Sequence, residues 1–361
     1  MGVGRFAYTP MLPVMQTEAG LSHALAGLLA SSNLAGYLAG VLVAMGAAFR
    51  TRRLGVVRWG LAAVIATTAL MAIPSPSLWI AARFATGVAS GFVFVLSSSI
   101  VLDRAALEGK HGWVGVFYAG VGAGIVASGL LIPAALRFGD WRAGWLGLAL
   151  VSAVASIGVL LWFDDWGHPE FAHEHATIAA ERGAFWWLFT AYGGEGLGYI
   201  IPATFMVAMI AATPAIASLA SANWIVVGLV AIPSSFVWSR IGIAIGRRTA
   251  LAAALFLQAG GIVAPILVPG AVAVVLSAVT LGGTFMGATA LANALGRESY
   301  PESSHIAVGR LATIFGFGQI AGPLLATSLT VRTGSYTAAT EAAAVIVLIS
   351  ASLMALSAVR R

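Results

Sequence analysis

Long apolar runs separated by short polar breaks dominate the chain. Runs of spanning length fall at about 22–48, 54–73, 78–102, 112–136, 142–163, 184–210, 217–238, 249–267, 270–292, 305–328 and 336–358. Each is close to or above the ~20 residues that carry a helix across a bilayer. A further apolar stretch, 1–15 (MGVGRFAYTPMLPVM), opens the chain. It has no basic segment before its apolar part and no small-residue cleavage site, so it is not a signal peptide. At 1.5 Å per residue it covers only ~22 Å, which reads as the outer part of a first helix that stops short of the inner face. Pro10 and Pro13 suit the end of that helix better than its middle. The pattern predicts twelve transmembrane helices, the first one short. A membrane barrel would instead alternate in polarity over ~10-residue segments.

The one long polar stretch, 164–183 (DDWGHPEFAHEHATIAAERG), divides the helices six and six. The expected domains are therefore 1–163, a central cytoplasmic linker at 164–183, and 184–361. Arg50, Arg52, Arg53, Arg104, Lys110, Arg240, Arg247, Arg248, Arg297, Arg360 and Arg361 fall on one side of a twelve-helix layout. Only Arg137, Arg142 and Arg332 fall on the other. The positive-inside rule then places both termini in the cytoplasm, with the chain in the cytoplasmic (inner, plasma) membrane.

Composition agrees with the pattern. Hydrophobic residues make up 60% of the 361 and charged residues 9%, against roughly 25% charged in an ordinary globular protein. Mean hydropathy is +0.94. The net charge of +6 sits in short clusters between apolar runs, which anchors loops and offers no continuous face to nucleic acid. Cysteine is absent, so disulfides and Cys-based zinc sites are excluded.

The sequence repeats on itself. A shift of 194 lays GVGAGIVASGLL (120–131) on FGFGQIAGPLL (315–325), pairing Gly122 with Gly316 and Gly124 with Gly318. The same shift lays Gly2-Val3-Gly4 on Gly196-Leu197-Gly198. Asn33 precedes Arg50 by seventeen positions, as Asn223 precedes Arg240. Equal order and sidedness in both halves predict a parallel repeat about an axis normal to the membrane.

The segment GVGRFAYTPMLPVM followed by LSHALAGLLASSNLAGYLAG resembles the opening of the YbfB/YjiJ-type branch of the major facilitator superfamily. The likeness continues in Arg83-Phe84 with Gly87, in GVGAG, in GLGYIIPATF (196–205), in GGTFMG (282–287) and in GFGQIAGP (316–323). It implies an all-α integral membrane protein of the major facilitator fold, with two six-helix halves rocking about a site between helices 1, 4, 7 and 10. Two departures stand out. The chain begins where the family's first helix is half complete, and the acidic loop motif after the second helix is reduced to FRTRRLG, without its Asp. SRIGIAIGRR, in the corresponding loop of the second half, also lacks the Asp.

Other motifs have plainer readings. Gly122-x-Gly124-x-x-Ala127 and Gly316-x-Gly318-x-x-Ala321 match a dinucleotide fingerprint only formally, because both sit in apolar helices with no preceding strand. Small residues there, like Gly36/Gly40, Gly87/Gly91 and Gly283/Gly287, permit close helix approach. His168, His173 and His175 with Glu170 and Glu174 lack the H-E-x-x-H order and read as a solvated linker. No cofactor or metal is expected, and no catalytic cluster points to an enzyme.

Ionisable residues inside the apolar runs carry the functional signal, since each costs ~2.5–3.5 kcal/mol at a helix centre on insertion scales. Arg5 and Glu195 are the foremost; for Arg83, Arg310 and Glu341, snorkelling or a structural pair stands beside solute contact. The expected solute and proton pathway comprises Arg5, Tyr8, Asn33, Arg83, Tyr118, Glu195, Tyr199, Asn223 and Gln319. Arg5 maps by the repeat to Tyr199, one turn beyond Glu195, so the two charges should differ in depth by only ~6 Å. A pair that forms and parts as the cavity closes and opens would couple a proton or an anionic solute to transport. The resulting expectation is a monomeric secondary transporter of a small solute working by alternating access with proton coupling. The alternative is a transport-incompetent, truncated relative or a receptor-like membrane scaffold.

Overall fold

A computed structural model describes residues 2–46, 49, 52–109, 112–162, 182–268, 270–299 and 304–359, and among them every regular element is helical. The first helix, α1, comes in two pieces, Gly2–Phe6 and Tyr8–Glu18. Then follow α2 (His23–Ala44), α3 (Arg53–Leu70), α4 (Pro76–Leu107), α5 (Gly112–Ala135), α6 (Trp141–Trp162) and α7 (Arg182–Ala211). A 3₁₀ turn at Ala217–Leu219 leads into α8 (Ala220–Ile245). The remainder are α9 (Arg247–Leu267), α10 (Ala271–Ser299), α11 (Ser304–Thr333) and α12 (Thr337–Val359). Eleven of these, α2 to α12, are long and apolar enough to cross a membrane. Residues 163–181, with the three linker histidines, lie outside the described residues.

One expectation about α1 needs correcting. The helix runs on to Glu18, and Pro13 lies inside its second piece rather than at an end. The interruption at Ala7 has a local cause, since Pro10 has no N–H to offer the Phe6 carbonyl four residues back. Backbone bonds from Ala7 to Val3 (3.0 Å) and from Met11 to Ala7 (3.3 Å) carry the chain across the break. Gly20, at φ +65°, then turns the chain toward α2, whose start is capped by the Ser22 hydroxyl accepting the Leu25 N–H at 3.2 Å.

The described chain forms two compact units whose boundary falls inside two helices, between Ala203 and Thr204 in α7 and between Gly228 and Leu229 in α8. In the first unit α1 to α6 pack with the 204–228 stretch. Its tightest seam joins α2 and α4. A Cβ at Gly36 or Gly40 would strike the backbone of Phe84 or Val88, and one at Gly87 or Gly91 the backbone around Asn33, Tyr37 and Val41. The fully buried Met11, Leu12 and Met15 of α1 meet α6, where the Trp145 indole N–H points at the Met15 sulfur (3.4 Å). The Glu18 carboxylate accepts the Trp141 N–H at 2.6 Å, which places a negative charge at the N-terminus of α6.

On the first part of α8, in the same unit, Trp224 is almost wholly buried and donates its indole N–H to the Ser128 hydroxyl of α5 at 3.1 Å. Ser128→Ala would leave that donor buried without an acceptor. A loss of about 1–3 kcal/mol is expected in thermal unfolding of the purified protein. An unchanged midpoint would mean that the bond contributes nothing.

The second unit holds α9 to α12 with the first part of α7 and the second part of α8. A Cβ at Gly318 would meet the backbone of Gly193, Gly196 and Leu197, and in the first unit a Cβ at Gly124 would meet that of Gly2 and Val3. These contacts, α5 on α1 and α11 on α7, join the same positions shifted by 194. The repeat therefore preserves the crossing as well as the residues. Elsewhere Ser234 and Trp238 both donate to the Gly283 carbonyl (2.8 and 2.7 Å), and the Ser234 hydroxyl accepts the Gly287 N–H. Large apolar side chains such as Leu150, Leu161, Ile243 and Val272 stand more than half exposed. In a membrane helix that is the lipid-facing stripe, where a water-facing surface would carry charge instead.

Candidate functional site

In the first unit α1, α2 and α4 bring four of the expected residues together. Arg83 of α4 donates through Nη1 to the carbonyl of Gly4 on α1 (3.2 Å), and its guanidinium lies over the Tyr8 ring at 4.7 Å. Asn33 of α2 donates to the Arg83 carbonyl at 2.9 Å. The Tyr8 hydroxyl is committed to the Ala26 carbonyl at 2.9 Å. Arg83, Asn33 and Tyr8, all buried, thus tie three helices to one another.

Arg5 is different. It is 8% exposed, its guanidinium stacks over Tyr37 at 4.3 Å and Phe6 at 5.3 Å, and its Nε and Nη2 are buried without a hydrogen-bond partner. Tyr118 of α5 is half-buried, its ring against Phe94 (5.9 Å) and Phe117 (5.5 Å). Asn223 is 2% exposed, one residue before Trp224 on the first part of α8.

In the second unit Glu195 is wholly buried in the middle of α7, with both carboxylate oxygens lacking a hydrogen bond. The polar side chain that faces it is Gln258 of α9, itself wholly buried, and no bond of normal length and angle joins the two. Gln319 of α11 donates to the Tyr199 hydroxyl at 2.5 Å. The Tyr199 ring stacks on Phe315 (5.5 Å) and Phe285 (6.1 Å). Tyr192 stacks on the same Phe315 ring, at 4.4 Å.

A family model described as "Uncharacterised MFS-type transporter YbfB" matches residues 1–355, nearly the whole chain. The chain belongs to this family. It is a multi-pass membrane solute transporter of the major facilitator fold. None of the curated proteins compared with it matches. Among solved structures it is similar to a crystal structure of a mutant of the nucleoside transporter NupG. The two share 15% identity over 99% of this chain and 95% of that one, with a TM-score of 0.70. At that identity the likeness carries the fold alone.

In the transporter, each expected residue has a place within its own unit. Arg5, Tyr8, Asn33, Arg83, Tyr118 and Asn223 belong to the first, and Glu195, Tyr199 and Gln319 to the second. Sequence reasoning missed Gln258, Tyr37, Phe285 and Phe315. Gln258 left a legible trace as an amide inside the apolar run 249–267. The aromatic residues left none, since an aromatic in an apolar helix is as often simply packed.

Proposed function

We propose that the transporter is a secondary active carrier that moves a small solute by alternating access, with proton binding at Glu195 as the coupling step. It works as a monomer in the plasma membrane, with both termini cytoplasmic. The observation that carries this reading is the state of Glu195. A carboxylic side chain in the middle of a spanning helix, with neither oxygen hydrogen-bonded, is a costly arrangement that packing alone does not call for. Alternating access changes how much water reaches that group, and with it the balance between its carboxyl and carboxylate forms. Arg5, Tyr118, Tyr199, Asn223 and Gln319 complete the solute and proton pathway in this reading, and Tyr8, Asn33 and Arg83 hold its helices in register.

The test is transport in proteoliposomes. Solutes are first found by thermal shift of the purified protein against metabolite classes, nucleosides included, since binding to the native state raises apparent stability. Glu195→Gln is expected to exchange solute across the membrane but to lose the dependence of net uptake on a pH gradient. Net uptake that follows the gradient as in the wild type removes Glu195 as the coupling site.

A further inference from the structure

The Arg5 guanidinium has one edge that no described residue answers. Its two unbonded nitrogens, Nε and Nη2, are the pair whose N–H bonds run parallel, the fork that grips a carboxylate with two bonds. The rest of the group is already engaged, since Arg5 meets the Tyr37 hydroxyl in a side-chain hydrogen bond and its Cζ lies over the Tyr37 and Phe6 rings, whose faces attract the cation without satisfying the two remaining donors. Arg83 adds a second positive charge close by, for it bonds the carbonyl of the residue before Arg5, and the two guanidiniums repel. The carboxylates of the first unit whose side chains are described are engaged elsewhere. Glu18 accepts from Trp141, Glu108 pairs with Arg104, and Asp140 pairs with Arg142 at 3.4 Å. The unit therefore buries two cations at membrane depth without an anion of its own among the described side chains.

We infer that the Nε–Nη2 edge of Arg5, flanked by Phe6 and Tyr37, binds the single carboxylate of an organic monoanion. This names the solute class of the carrier proposed above and rests on that reading. One carboxylate is specified because Arg5 alone leaves both nitrogens of its fork unbonded, whereas Arg83 is tied to Gly4 through Nη1 and leaves only its Nε buried without a bond. The body of the solute is apolar or aromatic, because the side chains about this region are rings. Tyr37 lies near Tyr118, which packs with Phe94 and Phe117. The fork is covered in this conformation, so the solute reaches it only when the helices around α1 part, and its binding favours the parted arrangement.

The experiment uses the full chain in detergent, with benzoate, phenylacetate and butyrate as probes and the corresponding neutral amides as controls at constant ionic strength. At least one carboxylate should raise the thermal midpoint saturably, by several degrees, and its amide should not. Arg5→Gln should abolish the shift. Arg5→Lys keeps the charge but not the fork and should weaken binding at least tenfold, and it carries the test if Arg5→Gln does not fold. Equal shifts with acid and amide, no shift with any carboxylate at millimolar concentration, or wild-type affinity in Arg5→Lys would each overturn the proposal. The two readings fail separately. A carboxylate that binds through Arg5 but never crosses the membrane leaves the anion site standing without the carrier. A carrier that keeps its full solute flux in Arg5→Gln stands without the anion site.

Discussion

Gly87→Leu should leave almost no folded protein. The α2–α4 seam is built on backbone contact, and even a methyl group at Gly87 would overlap the Asn33 carbonyl and crowd the Tyr37 N–H. Neither obstacle is a side chain that can rotate aside, so the helices would have to separate. Separation would break the Asn33 bond to the Arg83 carbonyl and pull α4 away from Gly4, which Arg83 holds. Overpacking a core costs typically 1–3 kcal/mol where side chains can give way. Here about 4 kcal/mol or more is expected, against a total stability of order 5–15 kcal/mol. The measurement is the yield of monodisperse protein on size exclusion, followed by thermal unfolding. Gly260→Leu is the control, because nothing lies within reach of a Cβ there, and it should be close to neutral. A Gly87→Leu protein that unfolds at the wild-type midpoint would refute the account of the seam.

The second large effect has the opposite sign. Glu195→Met combined with Gln258→Met should raise stability while ending coupled transport. The four side-chain polar atoms of this pair are buried, and none has a hydrogen bond of normal geometry. A buried polar group left in that condition costs about 1–3 kcal/mol, and replacing both members with apolar groups of similar volume removes the cost without opening a cavity. A gain of about 1–3 kcal/mol in thermal unfolding is expected, together with loss of pH-driven uptake. Sites kept for function at the expense of stability behave this way. A double variant less stable than wild type would show that the pair holds the second unit together, and would count against a functional origin of its burial.

The cost of Glu195 is legible in the sequence alone, because a carboxylate between glycines in a long apolar run has no cheap explanation. Its pairing with Gln258 is not, because the two lie sixty-three positions apart on helices whose facing depends on how α7 is rotated about its axis. Tyr8 shows the converse. Its polarity suggested a solute contact, yet its hydroxyl closes on the Ala26 carbonyl, and nothing in the local sequence separates a tyrosine that lines a path from one that fastens two helices. The prolines of α1 depart from the local expectation for a related reason. Proline is a poor interior residue in water, but within a packed bundle the helix continues past the missing bond to Glu18.

What the sequence by itself determined is what depends on the solvent and on period. These are the spanning helices, because only a run of ~20 apolar residues fits the bilayer, and the repeat, because equal glycine spacing reproduces equal crossings in α1–α5 and α7–α11. The membrane placement and the residues too costly to be there by chance belong to the same class. Only the tertiary structure decided which of those residues are answered. The Arg83 guanidinium finds the Gly4 carbonyl and Gln319 finds the Tyr199 hydroxyl, while the Arg5 fork and the Glu195 carboxylate find no hydrogen bond. That distinction rests on angles and distances between helices far apart in the chain, and hydropathy, which weighs each residue alone, does not contain it.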